Sequence, residues 1–111
     1  SGNIFVNNGN LELKDSIDEG DNESGIVSYN GTAIVNNGTL IIGIDDNIVY
    51  NTSPRIIGNT TAIDNNGIIN FYDGNIQISA EGNVIKGNDI NQIPSGYIVN
   101  KEDKKYSLLK N

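Results

Sequence analysis

Thr32-Ala33-Ile34-Val35-Asn36-Asn37-Gly38-Thr39-Leu40-Ile41-Ile42-Gly43 decides the fold, because it recurs. Ala62-Ile63-Asp64-Asn65-Asn66-Gly67-Ile68-Ile69-Asn70-Phe71 follows it at the same spacing. Ile4-Phe5-Val6-Asn7-Asn8-Gly9-Asn10-Leu11-Glu12-Leu13 precedes it. Gly9, Gly38, Gly67 and Gly96 therefore stand 29 residues apart, with Pro94-Ser95 replacing Asn-Asn before the last. A fixed long period marks a chain that stacks copies of one unit.

Within a row, alternation gives the local structure. After each glycine comes an apolar pair: Leu11 and Leu13, Leu40 and Ile42, Ile69 and Phe71, then Ile98 with Asn100 in the last slot. A period of two means a strand with one buried face. Before each corner lie Ile4 and Val6, Ala33 and Val35, and Ala62 with Asp64. Phe5, Ile34 and Ile63 between them are also apolar, so both faces of this strand are expected to be covered. Val27, Ile56 and Ile85 form a third in-phase set. Each row thus reads as three short strands joined by turns.

Two all-β architectures compete. Asn-Gly is a strong hairpin signal and would give an antiparallel meander. A parallel β-solenoid instead places equivalent residues above one another, about 4.8 Å apart. The hairpin explains Asn-Gly but not the register of the other positions. The solenoid explains both, with the glycine supplying positive φ at a recurring corner. The expectation is a short β-solenoid of about four 29-residue coils, with Leu11, Leu40, Ile69 and Ile98 as one core column. Asn7, Asn36 and Asn65 are the members of one expected amide ladder, and Asn8, Asn37 and Asn66 of a second.

The 111 residues read as one domain, with coils over 1–95 and a C-terminal cap over 96–110. In the cap, Tyr97-Ile98-Val99-Asn100 is a strand, Lys101-Glu102-Asp103-Lys104 a polar turn, and 105–109 a returning strand. A charged hairpin here would blunt the end of the stack. The first row, opening within a strand, is the place where another coil or a second copy would pair. So short a stack is expected to be part of a larger protein.

Net charge is −7, and there is no cysteine, histidine or tryptophan. Cysteine ligands and disulfides are thereby excluded. An acidic body lacks the basic footprint that nucleic acid needs, and anionic membrane surfaces are disfavoured for the same reason. Basic Lys101, Lys104 and Lys105 read as solvated cap charges rather than a docking patch.

Four kinds of site have candidate residues in the sequence. Paired carboxylates for glycosidic chemistry would come from Asp45, Asp46, Asp64 and Asp73. Only Asp15 and Asp73 share a column, with Ile44 between, so two rows or about 10 Å would part them. These carboxylates read as turn residues and no catalytic residue is assigned. The acidic loop over 12–23 offers calcium candidates Asp15, Asp18, Asp21 and Glu23, dense in hard oxygen ligands but without EF-hand spacing. Thr32 and Thr61 are too few for an ice-binding array. Tyr29, Tyr50, Tyr72, Tyr97 and Tyr106 share no column; Tyr72 beside Asp73 is a reasonable ligand contact.

Asn70-Phe71-Tyr72-Asp73-Gly74, Thr52-Ser53-Pro54-Arg55-Ile56-Ile57-Gly58 and Ile93-Pro94-Ser95-Gly96-Tyr97, with the opening stretch, resemble the β-helix repeat tract of large surface proteins of Gram-positive anaerobic bacteria. These are loosely similar in fold to pectate lyases. The resemblance spans roughly 25–110 and implies a right-handed parallel β-helix, exported and wall-associated or adhesive. It carries over no catalytic residue. The expected function is a non-catalytic cell-surface structural or adhesive module without cofactor. The alternatives are the C-terminal portion of a carbohydrate-active β-helix enzyme or a phage fibre segment. A glycan or host surface protein is the class of partner such a module would meet.

Overall fold

The computed structural model describes residues 5–14 and 25–111; among these every regular element is a strand. Three circuits of the chain each contribute one strand to each of three sheets. The first sheet holds β1 (Phe5–Asn7), β4 (Ile34–Asn36), β7 (Ile63–Asn65) and β10 (Ile85–Gly87), all parallel. The second holds β2 (Asn10–Leu13), β5 (Thr39–Ile42) and β8 (Ile68–Phe71), also parallel. In the third, β3 (Gly25–Val27), β6 (Arg55–Gly58) and β9 (Asn75–Ile78) run parallel. A hairpin of β11 (Tyr97–Lys101) and β12 (Lys105–Lys110) closes that sheet by pairing antiparallel with β9.

The register follows the sequence period where the corners repeat. Asn7, Asn36 and Asn65 are aligned Cα to Cα, as are Leu11, Leu40 and Ile69. Leu40, Ile42, Ile69 and Phe71 are fully buried. They join Ile34, Ile63, Ile56, Ile76, Val84 and Leu108 in one apolar cluster. Each such side chain contributes roughly 1.5–3 kcal/mol of transfer free energy.

Four expectations are corrected. In the first sheet the core-facing residues are Ile34 and Ile63 with Asn36 and Asn65, not Val35 and Asp64, which are half-buried. The strand's parity is set by burying the asparagines in the corner, and a one-residue shift of parity exchanges faces. In the third sheet Ile26, Ile56 and Ile76 align, so Val27 falls opposite Ile57 and Ile85 belongs to the first sheet.

The third correction is the period itself. Residues 43–54 link β5 to β6, whereas 72–74 suffice to link β8 to β9. The third circuit is therefore shorter, and Ile85 pairs with Ile63 only 22 residues before it. Ile98 leaves the column with Leu40 and Ile69. It pairs with Leu109 in the hairpin and is 44% exposed. The backbone of Asn91 takes its place, donating to the Ile69 carbonyl at 2.7 Å.

The fourth concerns glycine. Gly96 has φ +84° and open space around it, so it serves a left-handed turn after the circuits. Gly38 and Gly67 lack positive φ; instead, a Cβ on either would overlap the carbonyl oxygen of Gly9 or Gly38 one circuit away. Stacked backbones, not backbone angles, demand glycine at those corners.

Candidate functional site

The link over 43–54, much longer than its counterpart over 72–74, carries several exposed apolar side chains. Gly43 enters at φ +86°, and Asn47 and Asn51 adopt φ 62° and 63°. Asparagine tolerates that region better than other side-chain-bearing residues. Asp46 Oδ1 accepts from the Ile48 N–H at 3.1 Å, tightening the tip. Ile44, Ile48 and Tyr50 stand 41%, 51% and 50% exposed beside exposed Asp45 and Asp46.

Asp73, next to the shortened link, anchors this loop. It is buried, and its Oδ1 accepts from the backbone N–H of Tyr50 and Asn51, each at 2.9 Å, and of Gly74 at 2.7 Å. Asn51 then reaches the cap: its Nδ2 donates to the Leu108 carbonyl and its Oδ1 accepts from the Leu108 N–H, both at 2.8 Å. The Asn51 amide thereby extends the ladder beyond β9 as a strand would. Asn75 Nδ2 donates to the carbonyls of Asn51 and Thr52, and Gln77 donates to Asn75 Oδ1. Satisfied networks of this kind make a loop rigid.

Tyr72 lies at the foot of the loop, buried, its hydroxyl donating to Gln92 Oε1 at 2.7 Å. Burial raises its phenol pKa above the ordinary value, and the negative charge of Asp45 adds to the shift. A phenol held protonated and already donating is a structural tie rather than a base.

The asparagine corners hold two hydrogen-bonded files. On the inside, Asn7 Nδ2 donates to Asn36 Oδ1 at 2.9 Å, Asn36 to Asn65 at 2.8 Å, and Asn65 to the Asn88 carbonyl at 2.9 Å. On the outside the direction reverses: Asn66 donates to Asn37 and Asn37 to Asn8, both at 2.9 Å. Gly9, Gly38 and Gly67 turn each corner, donating their N–H to the inner asparagine two residues back.

The other sequence candidates are scattered. Asp64 is half-buried in β7, away from the loop that carries Asp45 and Asp46. Asp15, Asp18, Asp21 and Glu23 lie outside the described residues. Among the described residues no three His, Cys, Asp or Glu side chains gather as metal ligands. Lys101 ion-pairs with Asp89 at 3.2 Å and lies 5.6 Å from the Tyr106 ring centroid. With Gly82, Asn83, Val84, Glu102, Asp103 and Tyr106 it lines an open, polar depression of about 330 Å³. Tyr29 is 65% exposed, and Thr61 is buried.

Sequence reasoning passed over Ile44 and Ile48. The available signal was Gly43-Ile44-Asp45-Asp46-Asn47-Ile48, where the period-two pattern stops although apolar residues continue. Comparison with protein-family models, curated proteins and solved structures finds no match.

Proposed function

We propose that the chain is a short right-handed β-solenoid acting as a non-catalytic structural or adhesive module of an exported, cell-surface protein, of the β-helix repeat type that its sequence resembles. The 29-residue register of parallel pairs in the first two sheets supports the solenoid reading. Handedness follows the general rule for crossovers between parallel strands of one sheet.

The observation that carries the adhesive reading is the loop over 43–54. It presents Ile44, Ile48 and Tyr50 to solvent on a backbone held by Asp73 and Asn51. A recognition surface needs apolar contact area on a rigid support. The carboxylates argue the same way. Asp73 Oδ1 is taken up by three backbone donors, and Asp46 caps its own loop. Neither is arranged as half of an acid–base pair.

The test is binding of the chain to a glycan array and to immobilised host surface proteins. A companion variant replaces Ile44, Ile48 and Tyr50 with serine. Binding that disappears in the variant, without loss of fold, is expected. Turnover of a polysaccharide by the chain, as lyase or hydrolase, would overturn the non-catalytic reading. Binding that survives the triple variant would overturn the role of the loop.

A further inference from the structure

We propose that the depression between the β11–β12 turn and residues 82–84 is a subsite for one amino-sugar unit, held through its ammonium group. It is separate from the loop over 43–54 and does not depend on it.

Backbone bonds fix both walls. On one side Lys101, at the end of β11, and Tyr106, in β12, are cross-strand partners. The Glu102 N–H donates to the Lys105 carbonyl at 3.0 Å and closes the turn. The Ile78 N–H donates to the Lys104 carbonyl at 2.9 Å and ties that turn to β9. On the other side the Asn83 N–H donates to the Thr60 carbonyl at 2.9 Å, and the Val84 carbonyl accepts from the Ala62 N–H at 3.0 Å. Gly82 lies so close to Thr60 that a Cβ there would overlap its carbonyl oxygen. Walls already in place lower the ordering cost of binding.

Size and chemistry select a single sugar ring. About 330 Å³ is at the low end for ligand pockets. Val84, which is 2% exposed, and half-buried Tyr106 are its large apolar members. Lys101, Glu102, Asp103 and Asn83 supply exposed polar groups around them. Sites for apolar molecules have the opposite balance. A pyranose has this one: C–H bonds on its faces and hydroxyls at its edge.

Electrostatics select the substituent. Lys101 Nζ ion-pairs with Asp89 Oδ1 at 3.2 Å and lies 5.6 Å from the Tyr106 ring centroid, so its charge is matched before a ligand arrives. Among the described residues Glu102 and Asp103 form no ion pair. The depression keeps an excess of negative charge, on a chain whose net charge is already −7. A ring-borne ammonium meets two carboxylates there as a charge-assisted donor, whereas a uronate meets like charge. The Asn83 amide offers hydroxyls both a donor and an acceptor.

The experiment titrates the whole folded chain at about pH 6, below the usual range of an α-amino group, and follows backbone amide shifts by nuclear magnetic resonance. The probes are glucosamine, N-acetylglucosamine, glucose, glucuronate and cyclohexylamine, a ring-borne ammonium without hydroxyls. Glucosamine is expected to saturate with a Kd of about 1 mM, in the range of a small, open site. It should move the amides of Asn83, Glu102 and Asp103 and leave Asn36 and Leu40 in place. N-acetylglucosamine, glucose and cyclohexylamine should bind about tenfold more weakly, the scale of one hydrogen bond to a charged group. Glucuronate should not bind.

Glu102→Gln and Asp103→Asn, both at exposed turn positions, should each weaken glucosamine about threefold or more. Glu12→Gln, an exposed change on β2, should not. Tyr106→Phe keeps the ring and the binding. Asp89 does not line the depression, yet Asp89→Asn frees the Lys101 charge; it should weaken glucosamine and admit glucuronate. No saturable shift at Asn83, Glu102 or Asp103 up to about 50 mM glucosamine, well above that Kd, would overturn the site. Equal affinity for glucose or N-acetylglucosamine would overturn the ammonium's role, and equal affinity for cyclohexylamine the sugar's. Unchanged binding in both carboxylate variants, or in Asp89→Asn, would overturn the electrostatic argument.

Discussion

The side-chain amide of Asn36 donates to Oδ1 of Asn65, 29 residues further along the chain, at 2.8 Å, and both side chains are completely buried. The same nitrogen also meets the carbonyls of Gly38 and Ile68, at 3.2 and 3.0 Å. Its oxygen accepts from Asn7 and Gly38. Every polar valence of a buried amide is therefore used, and each can be used only because consecutive circuits are in register.

Asn36→Asp should destabilise more than its near-identical size suggests. The two N–H groups now shared among three acceptors would be replaced by an oxygen facing them. Each buried, unsatisfied group costs about 1–3 kcal/mol, so a loss of about 3 kcal/mol or more is expected in urea denaturation. A loss under about 1 kcal/mol, the size of one ordinary net hydrogen bond, would mean that the file does little to hold the circuits.

The glycines separate two mechanisms. Gly38→Ala forces a methyl group into the Gly9 carbonyl and should cost several kcal/mol, of the order of 3 or more for overpacking against fixed backbone. Gly9→Ala meets nothing within 4 Å among the described residues and should be close to neutral. Gly96→Ala meets open space too, but must hold φ +84°, at a cost of about 1–2 kcal/mol. Thermal unfolding of the three variants gives the order Gly38, Gly96, Gly9.

The parts of the fold that were legible in the sequence are those where side chains meet their own counterparts. Asn36 and Asn65, or Leu40 and Ile69, sit at the spacing at which they align. What was hidden is the shortening of the third circuit. Gly43 stacks on Asp73 and Pro54 on Gly74, so the extra residues lie between them, at 44–53, and have no counterpart in the shorter link. A deletion there leaves the period-two pattern of β9 intact. Gly96 then falls 29 residues after Gly67 without sharing its place, because its glycine answers to a turn and not to a stack. The loop anchor was equally hidden. Asp73 was visible as an acid, but its partners Tyr50 and Asn51 are reached only through the fold.

The cap depends on Asn51. Asn51→Gly keeps the left-handed backbone easy but removes both bonds to Leu108, so a loss of about 1–3 kcal/mol is expected. Hydrogen exchange should show it locally, with the Leu108 amide losing protection while Leu40 and Ile69 keep theirs. Leu108→Ala, removing a side chain that is 3% exposed, should cost about 2–5 kcal/mol.

Alkaline pH provides a further check. Burial and the charge of Asp45 raise the Tyr72 phenol above its ordinary value. The unfolded chain therefore loses this proton first as pH rises. The stabilisation is fully present below the unfolded value, near 10. It declines above that and is gone once pH passes the folded value. Tyr72→Phe should flatten this alkaline decline, while being less stable at neutral pH through loss of the bond to Gln92. An unchanged alkaline slope in the variant would assign the decline to other groups.

The most direct measurement is a set of cross-strand proton contacts in the folded chain by nuclear magnetic resonance. Stacked parallel circuits predict backbone contacts joining Leu11 to Leu40 and Leu40 to Ile69, with side-chain amide contacts joining Asn36 to Asn65. Contacts joining Val35 to Leu40 across a tight turn at Asn36-Asn37-Gly38, with none between Leu40 and Ile69, would make the corners hairpins and contradict the account.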